Sequence, residues 1–154
     1  MSEAPQPAFS IEKIYVKDLS LEVPGGPQTF LQPEQPQLEI QLEHRPQRVN
    51  EVLFEVTLVI TVTAKHEART LFLVEASQAG VFQIRNVPET ELGPVLGIVC
   101  PNILFPYARE TVSDVINRAG FPPVLLAPVN FEALYQQRTL QTGQAPGPQI
   151  EVAH

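Results

Sequence analysis

Few side chains in this sequence could do covalent or acid–base chemistry, and their spacing argues against it. The three histidines, His44, His66 and His154, lie far apart, and none stands at metal-ligand spacing from a cysteine, a carboxylate or another histidine. Cys100 is the single cysteine, which excludes an internal disulfide and any Cys-x-x-Cys metal or redox site. It precedes Pro101 and belongs to no nucleophile signature, so its expected role is that of a small buried hydrophobe. Ser113 and Asp114 fall on the solvated side of a helical pattern, with no Gly-x-Ser-x-Gly context around them. Gly25-Gly26 is flanked by Pro24 and Pro27 and opens no helix, so it makes no phosphate loop. The carboxylates are spread singly along the chain as a solvated surface. The expectation is a protein that is not an enzyme, with no metal site and no cofactor.

Binding is the remaining kind of function, and composition narrows it. Seventeen Asp+Glu against ten Lys+Arg leave a net charge of −7, opposite to what a phosphate backbone recruits, so nucleic acid is not an expected partner. With 44% hydrophobic residues in 154, one domain with a real core is expected. Met1 to Ala8 has neither a basic residue nor an apolar stretch, so no secretory signal is expected there. The longest apolar run, Val95 to Cys100, is bounded by Pro94 and Pro101 and is far shorter than the ~20 residues of a membrane span. A soluble, cytoplasmic protein without membrane insertion is expected.

The sixteen prolines show where a sheet can sit. None falls between Val52 and Ser77, and proline is not tolerated in a central ladder. Within that gap Val52, Phe54, Val56, Leu58, Ile60, Val62 and Ala64 alternate with mostly polar residues, a period of two that predicts a strand. His66-Glu67-Ala68-Arg69 then turns into a second run, Thr70 to Ala76, and Val81 to Ile84 continues the sheet beyond Gly80. An earlier strand is predicted over Phe9 to Val23, with Phe9, Ile11, Tyr15, Leu19, Leu21 and Val23 on one face. The proline-rich stretch up to Pro36 is expected to be an irregular connection. Leu38, Ile40 and Leu42 alternate with Glu39, Gln41 and Glu43 as a further strand with one polar face. Ala108, Val112, Val115, Ile116 and Ala119 then line one face of a helix, with Gly120 and Pro122 as its stop. A last helix starts after Asn130, an N-cap residue, with Phe131, Leu134 and Tyr135 on one side. The reading is α+β: a four-stranded antiparallel sheet followed by two helices packed on one face. Residues 1–8 are expected to form a flexible segment, 9–142 a single domain and 143–154 a flexible tail.

Both faces of the second hairpin strand carry apolar residues, Phe72, Val74 and Ala76 on one and Leu71 and Leu73 on the other. Two helices can cover only one face. The other is expected to meet a second copy of the chain.

Three segments carry a family resemblance. Cys100-Pro101-Asn102-Ile103-Leu104-Phe105-Pro106-Tyr107-Ala108-Arg109-Glu110, Leu126-Ala127-Pro128-Val129-Asn130-Phe131-Glu132-Ala133-Leu134 and Ile14-Tyr15-Val16-Lys17-Asp18 resemble segments of the SecB family of bacterial protein-export chaperones. The similarity runs from about Phe9 to Gln137. It implies a cytoplasmic chaperone, a homotetramer built as a dimer of dimers, that holds unfolded secretory precursor proteins translocation-competent and delivers them to the SecA motor. Carried over residue by residue, Asp18, Glu22, Leu73 and Glu75 would contact SecA. Phe72, Val74, Ala76 and Gln78 would lie at the oligomer interface. Leu38, Ile40 and Leu42, joined by Phe30, Phe131, Leu134 and Tyr135, would wall the client groove. The chain departs from many members of the family at Gln32-Pro33-Glu34-Gln35-Pro36, where an aromatic is common.

Two readings from other classes compete with a holding chaperone. A small-molecule-binding β domain would need a closed pocket with a few converging polar groups. An oligomeric adaptor would bind one folded partner at a saturable site.

Overall fold

A computed structural model describes residues 5–31 and 35–140. Four strands, β1 (Ala8–Glu22), β2 (Gln37–Arg48), β3 (Leu53–His66) and β4 (Arg69–Arg85), form one antiparallel sheet in the order β1-β4-β3-β2. The proline-free stretch forms its centre, as the alternation requires. Gly80 does not break β4: a Cβ there would lie 2.8 Å from the Phe82 ring and 3.0 Å from Leu104 Cδ2, so glycine lets a helix approach the sheet.

That helix begins far earlier than its apolar face indicates. α2 (Glu89–Pro94), a π turn (Val95–Val99) and α3 (Cys100–Arg118) run on as one helix of 30 residues. Prolines 94, 101 and 106 read as breakers in the sequence. The chain absorbs the first two by widening into the π turn, where the Cys100 N–H reaches the Val95 carbonyl five residues back. By length and composition this helix could cross a membrane, but Cys100, Leu104, Ala108, Val112 and Ile116 are all fully buried, and α3 packs on β3 and β4. It stops where expected. Gly120 has φ 95°, its N–H bonds to the Asn117 carbonyl, and the Phe121 N–H bonds to that of Ile116. At α4 (Phe131–Leu140) the Asn130 side chain accepts from the Ala133 N–H at 3.0 Å, the expected N-cap. The connection expected to be irregular contains one helical turn, α1 (Gln28–Leu31), anchored by buried Thr29. Residues 32–34, and the expected tail at 143–154, lie outside the described residues.

β1 corrects the predicted strand. Its register against β4 shifts between Ile11 and Lys13 and again between Val16 and Asp18. Each bulge adds one residue and reverses the parity beyond it. The apolar stripe is therefore Phe9, Ile11, Ile14, Val16, Leu19 and Leu21, opposite Ile84, Phe82, Gly80, Gln78, Ala76 and Val74 on the helix side. Tyr15, opposite Ala79, falls on the other face.

The four residues expected at the oligomer contact lie on the helix side of the sheet. Phe72, Val74, Ala76 and Gln78 are 0–4% exposed and covered within the chain: the Phe72 ring meets Phe121, and Gln78 Oε1 accepts from Thr111 Oγ1 of α3 at 3.0 Å. Parity assigns them to one face but cannot say that α3 takes that face. Nor is the opposite face as apolar as it reads. A bulge at Ala64/Lys65 lets Leu71 join the buried cluster, and Ser77 and Ala79 keep the rest of that face small.

Candidate functional site

On the face away from the helices, the β1–β4 register gathers one group of expected site residues. Glu22 lies opposite Leu73, Ser20 opposite Glu75 and Asp18 opposite Ser77, so Asp18, Glu22, Leu73 and Glu75 form one patch. The three carboxylates are exposed, Leu73 is half-buried, and neither Asp18 nor Glu22 forms an ion pair among the described residues. The bulge at Lys17 matters here. Lys17 Nζ lies 2.6 Å from Glu55 of β3, so this cation is held away from the acidic patch. The Tyr15 hydroxyl donates to the same carboxylate. Lys17 first and Tyr15 second hold the Glu55 carboxyl below its usual range, while the bond to Glu55, together with burial, pushes the Tyr15 hydroxyl up to about 12.

The helix side carries the second group. Leu38, Ile40 and Leu42 alternate toward the helices on β2, with Ile40 and Leu42 buried and Leu38 half-buried. Leu42, Phe131, Leu134 and Tyr135 converge on a narrow cleft with His44, Gly97 and Arg138. The Phe131 ring meets Phe105 edge-on at 5.9 Å. Phe30 stands apart from this convergence, 50% exposed and tilted against Phe121 at 5.1 Å, which in turn meets Phe72 at 4.7 Å. Leu38 shares the cross-strand row of Ala64 and Phe72, so the β2 residues run from the Phe72 end of the sheet toward α4. In this conformation Ile40, Leu42 and Phe131 are core, and the open apolar surface at that end is Phe30 with Leu31, the latter 73% exposed.

Three features escaped the sequence reading. One is the exposure of the β1 stripe, where Phe9, Ile11, Val16, Leu19 and Leu21 are 38–47% open to water on an edge strand. Another is the notch that receives Tyr135, made by Gly93 and Gly97; their Gly-x-x-x-Gly spacing was the available signal. The third is His44, half-buried and bonded to Arg138 of α4. Cys100 is buried, which pushes its thiol up to about 12 and keeps it protonated. Among the described residues no group of three His, Cys, Asp or Glu could hold a metal ion.

Residues 2–142 match the family described as SecB, preprotein translocase subunit SecB. The chain belongs to the SecB family. Protein-export protein SecB of Chromobacterium violaceum is 64% identical over 140 residues, 91% of this chain and 93% of that one. The SecB protein of Nitrosospira multiformis is 60% identical over 147 residues, 96% of this chain and 92% of its own. Among solved structures, a SecB-like chaperone of Mycobacterium tuberculosis, in complex with a ChAD peptide from the HigA1 antitoxin, superposes with a TM-score of 0.63. It covers 79% of this chain and 90% of its own at 22% identity, a likeness of fold. SecB membership accounts for the sheet-and-helix arrangement.

Proposed function

We propose that this chain is a chaperone of protein export that binds unfolded precursor proteins in the cytoplasm, keeps them translocation-competent and hands them to the SecA motor. The observation that carries this reading is the 64% identity, over 93% of its length, to a protein-export protein SecB. Unfolded chains share exposed apolar side chains and little else, so a holding surface should be apolar and extended. Phe30 is the open entrance of such a groove, and Leu38, Ile40, Leu42, Phe131, Leu134 and Tyr135 form its wall once α4 and the loop before it give way. Several weak contacts along one groove add by avidity.

The active form in this reading is a homotetramer, a dimer of dimers. An exposed edge strand of fifteen residues with an apolar stripe is an aggregation hazard unless it is paired, and two copies meeting along β1 would remove the hazard. Phe72, Val74, Ala76 and Gln78 bear on assembly through α3, whose position they set from beneath. The acidic patch of Asp18, Glu22 and Glu75, with Leu73 at its centre, is the docking surface for a basic region of SecA. Such docking weakens with salt. Among the described residues, the cleft between Arg48, Phe54, Arg85 and Glu89 measures about 170 Å³, below the ~300 Å³ of small-ligand sites, and gives the small-molecule reading no support.

The test is light scattering after size exclusion, with and without a chemically unfolded secretory precursor added by rapid dilution. A mass of about four chains that grows by one client is expected; an unshifted tetramer would favour the adaptor reading. Glu75→Lys should weaken SecA binding roughly tenfold, as expected for a charge reversal at close range, with client holding unchanged. Loss of both together would remove the patch from the motor-binding role.

A further inference from the structure

α4 is held on the body of the protein at three points. Phe131 packs on Phe105. Tyr135 fills the Gly93/Gly97 notch, where a Cβ on Gly93 would lie 2.7 Å from the tyrosine hydroxyl and one on Gly97 2.5 Å from its ring. The third point is polar: Arg138 Nη1 meets Nδ1 of His44 on β2. A guanidinium has only donors and stays charged, so this bond exists only while Nδ1 is bare and the ring proton sits on Nε2. Nε2 faces the π turn, 3.7 Å from where a Cβ on Gly97 would stand.

Among the described residues, the charged and titratable surroundings of His44 are few. From α4 come Arg138 and Tyr135; the π turn (Val95–Val99) brings none, and Leu58 of β3, opposite His44, brings none. On its own strand Glu43 lies next in sequence, on the opposite face and bonded to Arg45. A proton added to Nδ1 would therefore abolish the bond and set two cations against each other in a half-buried cleft.

We propose that His44 and Arg138 form a proton-sensitive clasp: neutral His44 holds α4 down, and protonated His44 releases it. Burial first and Arg138 second lower the proton affinity of His44 when α4 is docked, with Glu43 pulling weakly the other way. The docked form then binds fewer protons than the released form. Docking is complete above the free histidine value of 6.5 and is lost as pH falls below it toward the docked value. Release uncovers Leu42 with the inner side of α4, Phe131 and Leu134. The clasp does not rest on the export reading, because it concerns the position of α4 and not what the protein binds.

The test is hydrogen exchange of residues 131–140 in the full chain at about pH 7.5 and about pH 5.5, values that bracket the ordinary histidine pKa. After correction for intrinsic rates, protection of α4 should fall by up to roughly tenfold, because about pH 5.5 lies one unit below the free histidine value, while that of β3 stays constant. His44→Gln keeps an acceptor for Arg138 and cannot titrate, so its α4 should be equally protected at both pH values. His44→Lys should show at the higher pH the exchange that the native chain shows at the lower. In Arg138→Gln the His44 pKa, followed by NMR, should rise toward 6.5. Protection of α4 that ignores pH in the native chain, or a His44 pKa indifferent to Arg138→Gln, would overturn the clasp.

Discussion

Val74→Asp is expected to unfold the protomer, not merely to take the oligomer apart. Val74 is fully buried in a cross-strand row with Leu21, Val62 and Ile40, beneath α3. A carboxylate there has no partner. Its desolvation costs several kcal/mol, much of the ~5–15 kcal/mol that stabilises a typical domain. Leu19→Asp makes the contrast. Leu19 is 42% exposed on the β1 stripe, so a charge there stays solvated in the protomer and meets trouble only where two copies join. Circular-dichroism melts and light scattering should therefore separate the two variants. Val74→Asp should lose its cooperative transition, and Leu19→Asp should keep it while its mass falls below that of the native assembly. A folded Val74→Asp chain that merely dissociates would refute the packing of these residues under α3.

Which parts of this molecule could be read from sequence follows from how each residue's face is set. On β2 and β3 the pairing runs without interruption up to Ala64, so one parity describes each strand and the polar face of Glu39, Gln41 and Glu43 is legible. β1 defeats the same reasoning twice, because an extra residue near Glu12 and another at Lys17 carry no compositional mark. Uninterrupted alternation therefore puts Tyr15 on the apolar stripe, although it bonds Glu55 on the other face. The start of the long helix was illegible because proline normally ends helices, and only the π turn lets this one continue. Gly120 and Asn130, by contrast, act locally and announced both helix boundaries correctly. The three carboxylates Asp18, Glu22 and Glu75, with Leu73, come from family resemblance. Register adds what residue types alone could not show: that Glu22 sits across from Leu73 and that Lys17 is turned toward Glu55.

Replacing Phe30 and Leu31 together by serine is expected to weaken client holding roughly a hundredfold while leaving the fold in place. Both side chains sit on one helical turn that is pinned independently of them: Thr29 is buried, and the Thr29 and Phe30 amides bond to the Gly26 and Pro27 carbonyls. Gly26, at φ 54°, provides the left-handed corner that starts the turn. Half of Phe30 and about three-quarters of Leu31 remain open to water. Covering that area with a client is worth on the order of 3 kcal/mol at the usual apolar coefficient, which is the hundredfold. The loss to the protein itself is smaller, because Phe30 gives up its contacts with Phe121 and Gly120 while Phe121 keeps Phe72. Val49→Ser is the matched control: Val49 is 56% exposed, in the connection between β2 and β3, and lies outside the proposed groove. Titration of an unfolded precursor against the three proteins should show the loss only in the double variant. Equal affinity in all three would place the holding surface away from α1, and an equal loss in the Val49→Ser protein would mean that exposed apolar area, wherever it lies, is what clients recognise.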